Sequence, residues 1–267
     1  MTLTNFHCHT FLCNHANGSV EDLIVAAKNA GCGALGISDH NPYPDDTWSA
    51  TRMTPGQMKG YVDDVRRAAK TVNFPVYLGF ECEYDPRYLD WLKYDVAEKA
   101  GADFMVYGSH WVYDDRFHCY VYIPSLHDKK LLIKYTDLTV EGIKTGIWTF
   151  LAHPDLPMAF LEKWDSEAKA CLGAILDAAI DCNLPIEING LGMTRQKRCS
   201  DGTVRYQYPF DDFWYYAKEK GAKVICNSDA HDFADVIDGH IRGRDYARKI
   251  GFTEIVVNPI TGATEAP

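Results

Sequence analysis

The 267-residue chain has no pair of cysteines at C-x-x-C spacing, and its nine cysteines are an odd number. Cys8, Cys13, Cys32, Cys82, Cys119, Cys171, Cys182, Cys199 and Cys226 are spread through segments that otherwise read as core. That distribution argues against a disulfide framework and suits free thiols in a reducing compartment. Long apolar runs are also missing: no stretch approaches the roughly 18 residues of a membrane span. The start, Met1 to Phe6, lacks the charged region and apolar run of a secretion signal. The expectation is therefore a cytoplasmic protein without a membrane partner. Basic residues are in deficit, with 27 Lys+Arg against 37 Asp+Glu and a net charge of −10. Phosphate-rich polymers are held mainly by Lys and Arg clusters, so a nucleic-acid partner is not expected and a small substrate is. Low-complexity linkers are absent, and 46% hydrophobic residues suffice for a sizeable core. Residues 1–267 are expected to form one domain, since α/β barrels reach about 250 residues as a single unit. Oligomeric state is left open.

What the chain does have is alternation. Short apolar runs predict strands at Leu3–His7, Ala34–Ser38, Val76–Glu81, Phe104–Gly108, Thr149–Ala152, Ile186–Asn189 and Val224–Asn227, with a weaker one at Glu254–Val257. Helical periodicity fills the intervals. Ser19 and Asp22 stand at capping-box spacing before Leu23, Ile24 and Ala27. Thr54, Pro55 and Gln57 open a second helix whose stripe is Met58, Tyr61, Val62, Val65 and Ala69. Further helices are predicted at Tyr88–Ala100, Leu131–Lys144, Glu167–Cys182, Asp211–Lys220 and Ile237–Ile250, several followed by a stop glycine such as Gly101 or Gly221. This β-α repetition predicts an α/β barrel around a parallel sheet. The polar stretch Gly190–Pro209 is read as a long loop over one end of it.

Of ten histidines, seven lie at or just beyond the carboxyl ends of predicted strands: His7, His9, His15, His40, His110, His153 and His231. In a barrel of β-α units those ends open at one face, so the residues should converge. Glu81 and Asp229 occupy equivalent positions, making nine candidate metal ligands of imidazole and carboxylate type. His7 and His9 are two apart on an extended segment and point to the same side, and Asp229 and His231 repeat the pattern. Cys8 and Ala230 point away and are read as packing residues. A single strand-end histidine is more simply a hydrogen-bonded core residue. Nine such groups at one mouth would be costly without a cation to satisfy them. His118, His127 and His240 lie in helical or irregular surroundings and are read as exposed or locally bonded.

The runs His7-Cys8-His9, His15, Ser38-Asp39-His40, Gly79-Phe80-Glu81, Gly108-Ser109-His110, Ala152-His153-Pro154 and Ser228-Asp229-Ala230-His231 resemble, in order, the motifs of the polymerase and histidinol phosphatase (PHP) family. The resemblance implies a distorted (β/α)7 barrel, which would leave the weak eighth strand outside the ring. It also implies two to three divalent transition-metal ions, zinc, manganese or iron. Carried over, His7, His9, Glu81 and Asp229 would hold the first, Glu81, His110 and His153 the second, and His15, His40 and His231 the third. Glu81 would bridge two ions, and Glu81, Asp229 and His231 would bear most directly on turnover. Such a cluster suits attack of a bridging hydroxide on a phosphate ester, with no protein nucleophile needed. Cys8 points the wrong way for that role.

An acidic chain still needs local positive charge for a phosphorylated substrate. The Gly190–Pro209 stretch carries Arg195, Lys197, Arg198 and Arg205, of which Arg195 and Arg198 are the preferred phosphate contacts, with Tyr208 orienting the substrate. The plain alternative for these charges is a solvated loop. Within the family, Asp39-His40-Asn41-Pro42 and Tyr208-Pro209 look most like histidinol-phosphate phosphatases. The implied reaction is hydrolysis of L-histidinol phosphate. Other members act on nucleotide phosphates or cyclic phosphodiesters or serve DNA polymerases, and a metal-binding regulatory protein that has lost turnover is a further alternative.

Overall fold

The computed structural model describes residues 1–126 and 128–267; His127 lies outside the described residues. Seven strands follow one another in parallel: β1 (Thr4–Asn5), β2 (Ala34–Ile37), β3 (Val76–Cys82), β4 (Phe104–Tyr107), β7 (Phe150–Leu151), β8 (Ile186–Asn189) and β11 (Val224–Asn227). The sheet curls until its first and seventh strands meet. Cys8 and Ala230 pair in parallel, and His9 N–H donates to Ala230 C=O over 2.9 Å. This is the distorted β/α barrel of the PHP type. The eighth predicted strand, β12 (Ile255–Asn258), extends the sheet beyond β11 and turns back through β13 (Ala263–Glu265).

Helices α1 (Val20–Asn29), α2 (Pro55–Ala68), α3 (Lys129–Lys144), α4 (Ser166–Asp181), α5 (Asp211–Glu219) and α6 (Asp238–Ile250) match the periodic segments to within two residues at most ends. The capping box forms as the spacing requires: Asp22 N–H donates to Ser19 Oγ over 3.2 Å, and Ser19 N–H to Asp22 Oδ2 over 2.8 Å. The segment predicted at Tyr88–Ala100 is helical up to Lys99, entered through a 3-10 turn at Pro86–Tyr88 and widening to π geometry over Trp91–Lys99. None of the described helices is long and apolar enough to cross a membrane.

Two cores support the sheet. Side chains turned toward the helices make the larger one, and Phe6, Ala34, Phe104, Val106, Phe150, Ala152, Ile225 and Val256 fill the barrel interior. The inner set is the floor of whatever opens above it. Parity explains the layering on β3, where Phe80 and Cys82 belong to the outer core and Glu81 turns inward. On the first strand the alternation breaks, because Phe6 belongs to the inner core and Cys8 to the outer. That break ends β1 at Asn5.

Two hairpins were not predicted. The stretch read as a loop at Gly190–Pro209 holds a short turn at Gly192–Thr194 and then β9 (Gln196–Arg198) paired antiparallel with β10 (Val204–Tyr206). Its turn is built by Asp201, which accepts from Thr203 N–H over 2.9 Å, and by Gly202 at φ +88°. A second hairpin, β5 (Trp111–Asp114) and β6 (Cys119–Tyr122), follows β4. β9 and β10 are three residues each and mostly polar, which hides them as sheet, whereas β5 and β6 carry strand-forming aromatic and valine residues that the sequence reading missed.

Candidate metal centre

All nine predicted ligands meet at the carboxyl-terminal mouth of the barrel. Glu81 is the hub, and its two oxygens face different partners. Oε2 lies 3.2 Å from His7 Nε2, 3.3 Å from His9 Nε2 and 3.2 Å from His40 Nδ1. Oε1 lies 3.4 Å from His110 Nε2 and 3.1 Å from His153 Nε2. Asp229 Oδ1 stands 3.2 Å from His9 Nε2 and 3.5 Å from His7 Nε2. Ligand atoms therefore fall into close sets, His7 with His9 and Asp229, and Glu81 with His110 and His153. The third set differs from its expected composition. His40 draws together with His9 and His231, while His15 draws together with His231 and Cys13.

The donor atoms fit cations. His15 Nδ1 is 2.7 Å from Cys13 O, and His231 Nδ1 is 3.0 Å from Asp229 O. Each ring thus carries its proton on Nδ1, so the two Nε2 lone pairs face each other 3.0 Å apart. A second proton is no remedy: burial lowers His15, and burial with the His9 charge pushes His231 down to about 3. A divalent ion would turn this opposition into coordination. Similarly, His7 Nε2 and His9 Nε2 are buried without a hydrogen-bond partner among the described residues. Burial alone would lower His7, but Glu187, Asp229 and Glu81 outweigh it and hold the ring well above its usual value. In the protein alone these carboxylates are balanced by protons, which metal uptake displaces.

Strain marks the same residues. His153 and Asp229 have φ of 30° and 53°, the left-handed region where side chains other than glycine cost energy. Each follows a strand end, and the turn aims the side chain back over the mouth.

Three buried carboxylates, Glu187, Glu83 and Asp39, orient the ligands, and the sequence reading missed all three. Glu187 Oε1 lies 2.8 Å from His7 Nδ1 and accepts from Asn227 Nδ2 over 3.0 Å. Its other oxygen accepts from Asn189 Nδ2 at 2.8 Å and from His153 N–H at 3.2 Å. Glu83 holds His110, with Oε1 2.5 Å from Nδ1 and Oε2 accepting the backbone N–H over 2.9 Å. Asp39 stands 3.5 Å from His9 Nδ1. The available signal was a carboxylate inside an apolar strand, Ile186-Glu187-Ile188, two residues before a polar strand end. Removing partners of this kind typically weakens metal affinity by about 10–100-fold. Glu187→Gln is expected to do so while the protein stays folded, which a competitive chelator titration measures. Unchanged affinity would show that His7 needs no fixed orientation.

Beside the cluster opens a cavity of about 420 Å³, walled by Thr51, Arg52, Trp111, Tyr122, Leu191, Arg195 and Tyr208 as well as the ligands. Of the predicted substrate contacts, Arg195 and Tyr208 line it. Arg198 does not: pairing with Val204 places it exposed on the outer face of the β9–β10 hairpin. The other two loop cations are committed elsewhere. Lys197 donates to the Ala159 and Phe160 carbonyls, and Arg205 to those of Met158 and Leu161. They fasten the hairpin to the barrel. Cys8 is fully buried and its thiol is pushed up to about 12, so it offers no nucleophile. His118 is exposed, and His240 is buried with Nδ1 2.8 Å from Cys226 O.

The PHP domain matches residues 5–190. The chain is 27% identical over 242 residues to a Deinococcus radiodurans protein named "Probable histidinol-phosphatase", covering 88% of each. It is 22% identical over 239 residues to a "Probable phosphatase" of Caldicellulosiruptor saccharolyticus, covering 86% of this chain and 80% of the other. Among solved structures, the histidinol phosphate phosphatase of Lactococcus lactis, complexed with zinc, L-histidinol and phosphate, superposes with a TM-score of 0.70 at 14% identity. That superposition covers 97% of this chain and 98% of that one. With the barrel, the histidine-rich mouth and these likenesses in agreement, the chain belongs to the PHP domain family and within it is similar to histidinol phosphatases.

Proposed function

We propose that this PHP-family phosphatase hydrolyses a small phosphomonoester, L-histidinol phosphate, to L-histidinol and phosphate, with residues 1–267 working as one unit. The observation that carries the reading is Glu81, whose two oxygens face separate histidine sets and so can fix the spacing of two ions. The chemistry that zinc, manganese or iron ions would supply there is hydroxide from water near neutral pH and neutralisation of charge on phosphoryl oxygens. His7, His9 and Asp229 would hold one ion and His110 and His153 the next, with His40 and His15, each drawn to His231, available for a third. The single loop cation on the cavity, Arg195, supplies a planar fork of donors for a non-bridging phosphate oxygen. Tyr208, 2% exposed and lining the same wall, orients the ester.

Named substrate and phosphatase class have separate supports. The Deinococcus and Lactococcus likenesses favour histidinol phosphate, whereas the cluster asks only for a phosphate ester. A screen of the metal-loaded protein against L-histidinol phosphate, nucleoside monophosphates and phosphodiesters tests the choice by kcat/KM. Histidinol phosphate is expected to lead. A nucleotide or diester in its place would overturn the substrate and leave the cluster standing, and no turnover of any ester would favour a regulatory metal-binding role. Arg195→Gln should raise KM by about 10–100-fold, the loss of a charge-assisted hydrogen bond of about 1.5–3 kcal/mol, with metal content unchanged. Unaltered KM would return Arg195 to a solvated rim charge.

A further inference from the structure

The β5–β6 hairpin puts two rings against the cavity. Trp111 and Tyr122 are register partners, their centroids are 5.2 Å apart, and both line the space beside His40, His110 and Asp229. Their position relative to the ligands is fixed. Ile123 N–H donates to His110 C=O over 2.8 Å, and Val112, on the opposite face of the hairpin, is fully buried. Tyr122 also interacts with Arg195, the proposed phosphate contact, on the same cavity wall.

The rest of that wall is as informative. Among the described lining residues, the only carboxylates are Glu81 and Asp229, which face the histidines. The Arg52 guanidinium is 2% exposed and donates to the Trp48 and Asn41 carbonyls, which leaves it a wall rather than a free cation. A leaving group entering this space meets no carboxylate to pair with an ammonium. It meets two aromatic side chains, and aromatic rings favour flat rings and cations.

We infer that Trp111 and Tyr122 form the leaving-group subsite and select phosphomonoesters whose alcohol carries a planar ring, an imidazole or an aryl group. This rests on the phosphomonoesterase reading above and adds what the cavity recognises beyond the phosphate.

The test compares kcat/KM for L-histidinol phosphate with that for leucinol phosphate, which keeps the amine and replaces the imidazole by a branched chain. Taking the ratio within each variant cancels effects on folding, metal loading and phosphate binding. Trp111→Leu and Tyr122→Leu should each lower the planar-to-aliphatic ratio by about tenfold, and Trp111→Phe, which keeps a ring, should retain most of it. A ratio unchanged in both leucine variants overturns the subsite. Binding of phenylphosphonate against isobutylphosphonate to the metal-loaded protein reads the same selection without turnover. Planar preference there, lost in Trp111→Leu, with no turnover of histidinol phosphate would keep the subsite and remove the named substrate. Equal binding of the two phosphonates to the wild-type protein would overturn the subsite whatever the substrate.

Discussion

Glu81→Gln is expected to lower kcat by about 10³-fold or more, because the substitution keeps the volume of the side chain and removes the carboxylate shared by two metal sets. Both oxygens are in use, Oε2 against His7, His9 and His40 and Oε1 against His110 and His153, so no single histidine set survives intact. Burial alone would raise this carboxyl, yet the surrounding His7, His110 and His40 hold it well below the usual range. It is a permanent anion, and an amide there provides one acceptor and no charge. The loss should appear in kcat rather than KM, since the proposed phosphate contact, Arg195, lies apart from Glu81 on the cavity wall. Steady-state kinetics with parallel metal analysis checks this. A variant with its metals present and near-normal kcat would show that Glu81 is not the bridge.

Gly108→Ala should be nearly as damaging, from a single methyl group. A Cβ built at Gly108 falls 2.2 Å from Glu81 Oε1 and 2.6 Å from His110 Cε1, closer than real contacts allow. Its backbone is one that alanine adopts readily, so the cost is contact and not strain. Overpacking of this kind costs about 1–3 kcal/mol, tolerable for a stable fold. The site is less tolerant, because the displaced oxygen is the one facing His110 and His153. The expected result is a folded protein with normal secondary structure, one ion fewer, and kcat reduced by about 100-fold. Full metal content with wild-type kcat would contradict the tight approach of Gly108 to Glu81.

Much of this site was legible because its residues recur at one topological place. His7 with His9 and Asp229 with His231 announce themselves by spacing, and Glu81, His110 and His153 by standing at strand ends. The orienting groups were not legible for a physical reason. Parallel strands are buried on both faces, so Ile186-Glu187-Ile188 reads as core and does not say that Glu187 turns into the barrel. Only closure of the sheet shows that it lies under His7. Arg195 and Arg198 illustrate the same limit. As charges in a polar stretch they were equivalent, and the β9–β10 pairing separates them by turning one outward. The fold followed the periodicity closely except in β9 and β10, which are short and polar, in the apolar β5 and β6, which were missed, and where the chain is irregular, as after Asn5. The β5–β6 hairpin bears most on the cavity, since Trp111 and Tyr122 form part of its wall, and Arg195 and Tyr208, which flank β9–β10, form another part.

Anomalous diffraction from crystals grown with excess zinc or manganese tests the metal centre most directly. The account predicts three peaks at the barrel mouth, one among His7, His9, Glu81 and Asp229, one among Glu81, His110 and His153, and one against His15, His40 and His231. Glu81 should contribute one oxygen to each of the first two. Absence of peaks among these nine residues, or ions that Glu81 does not touch, would contradict it.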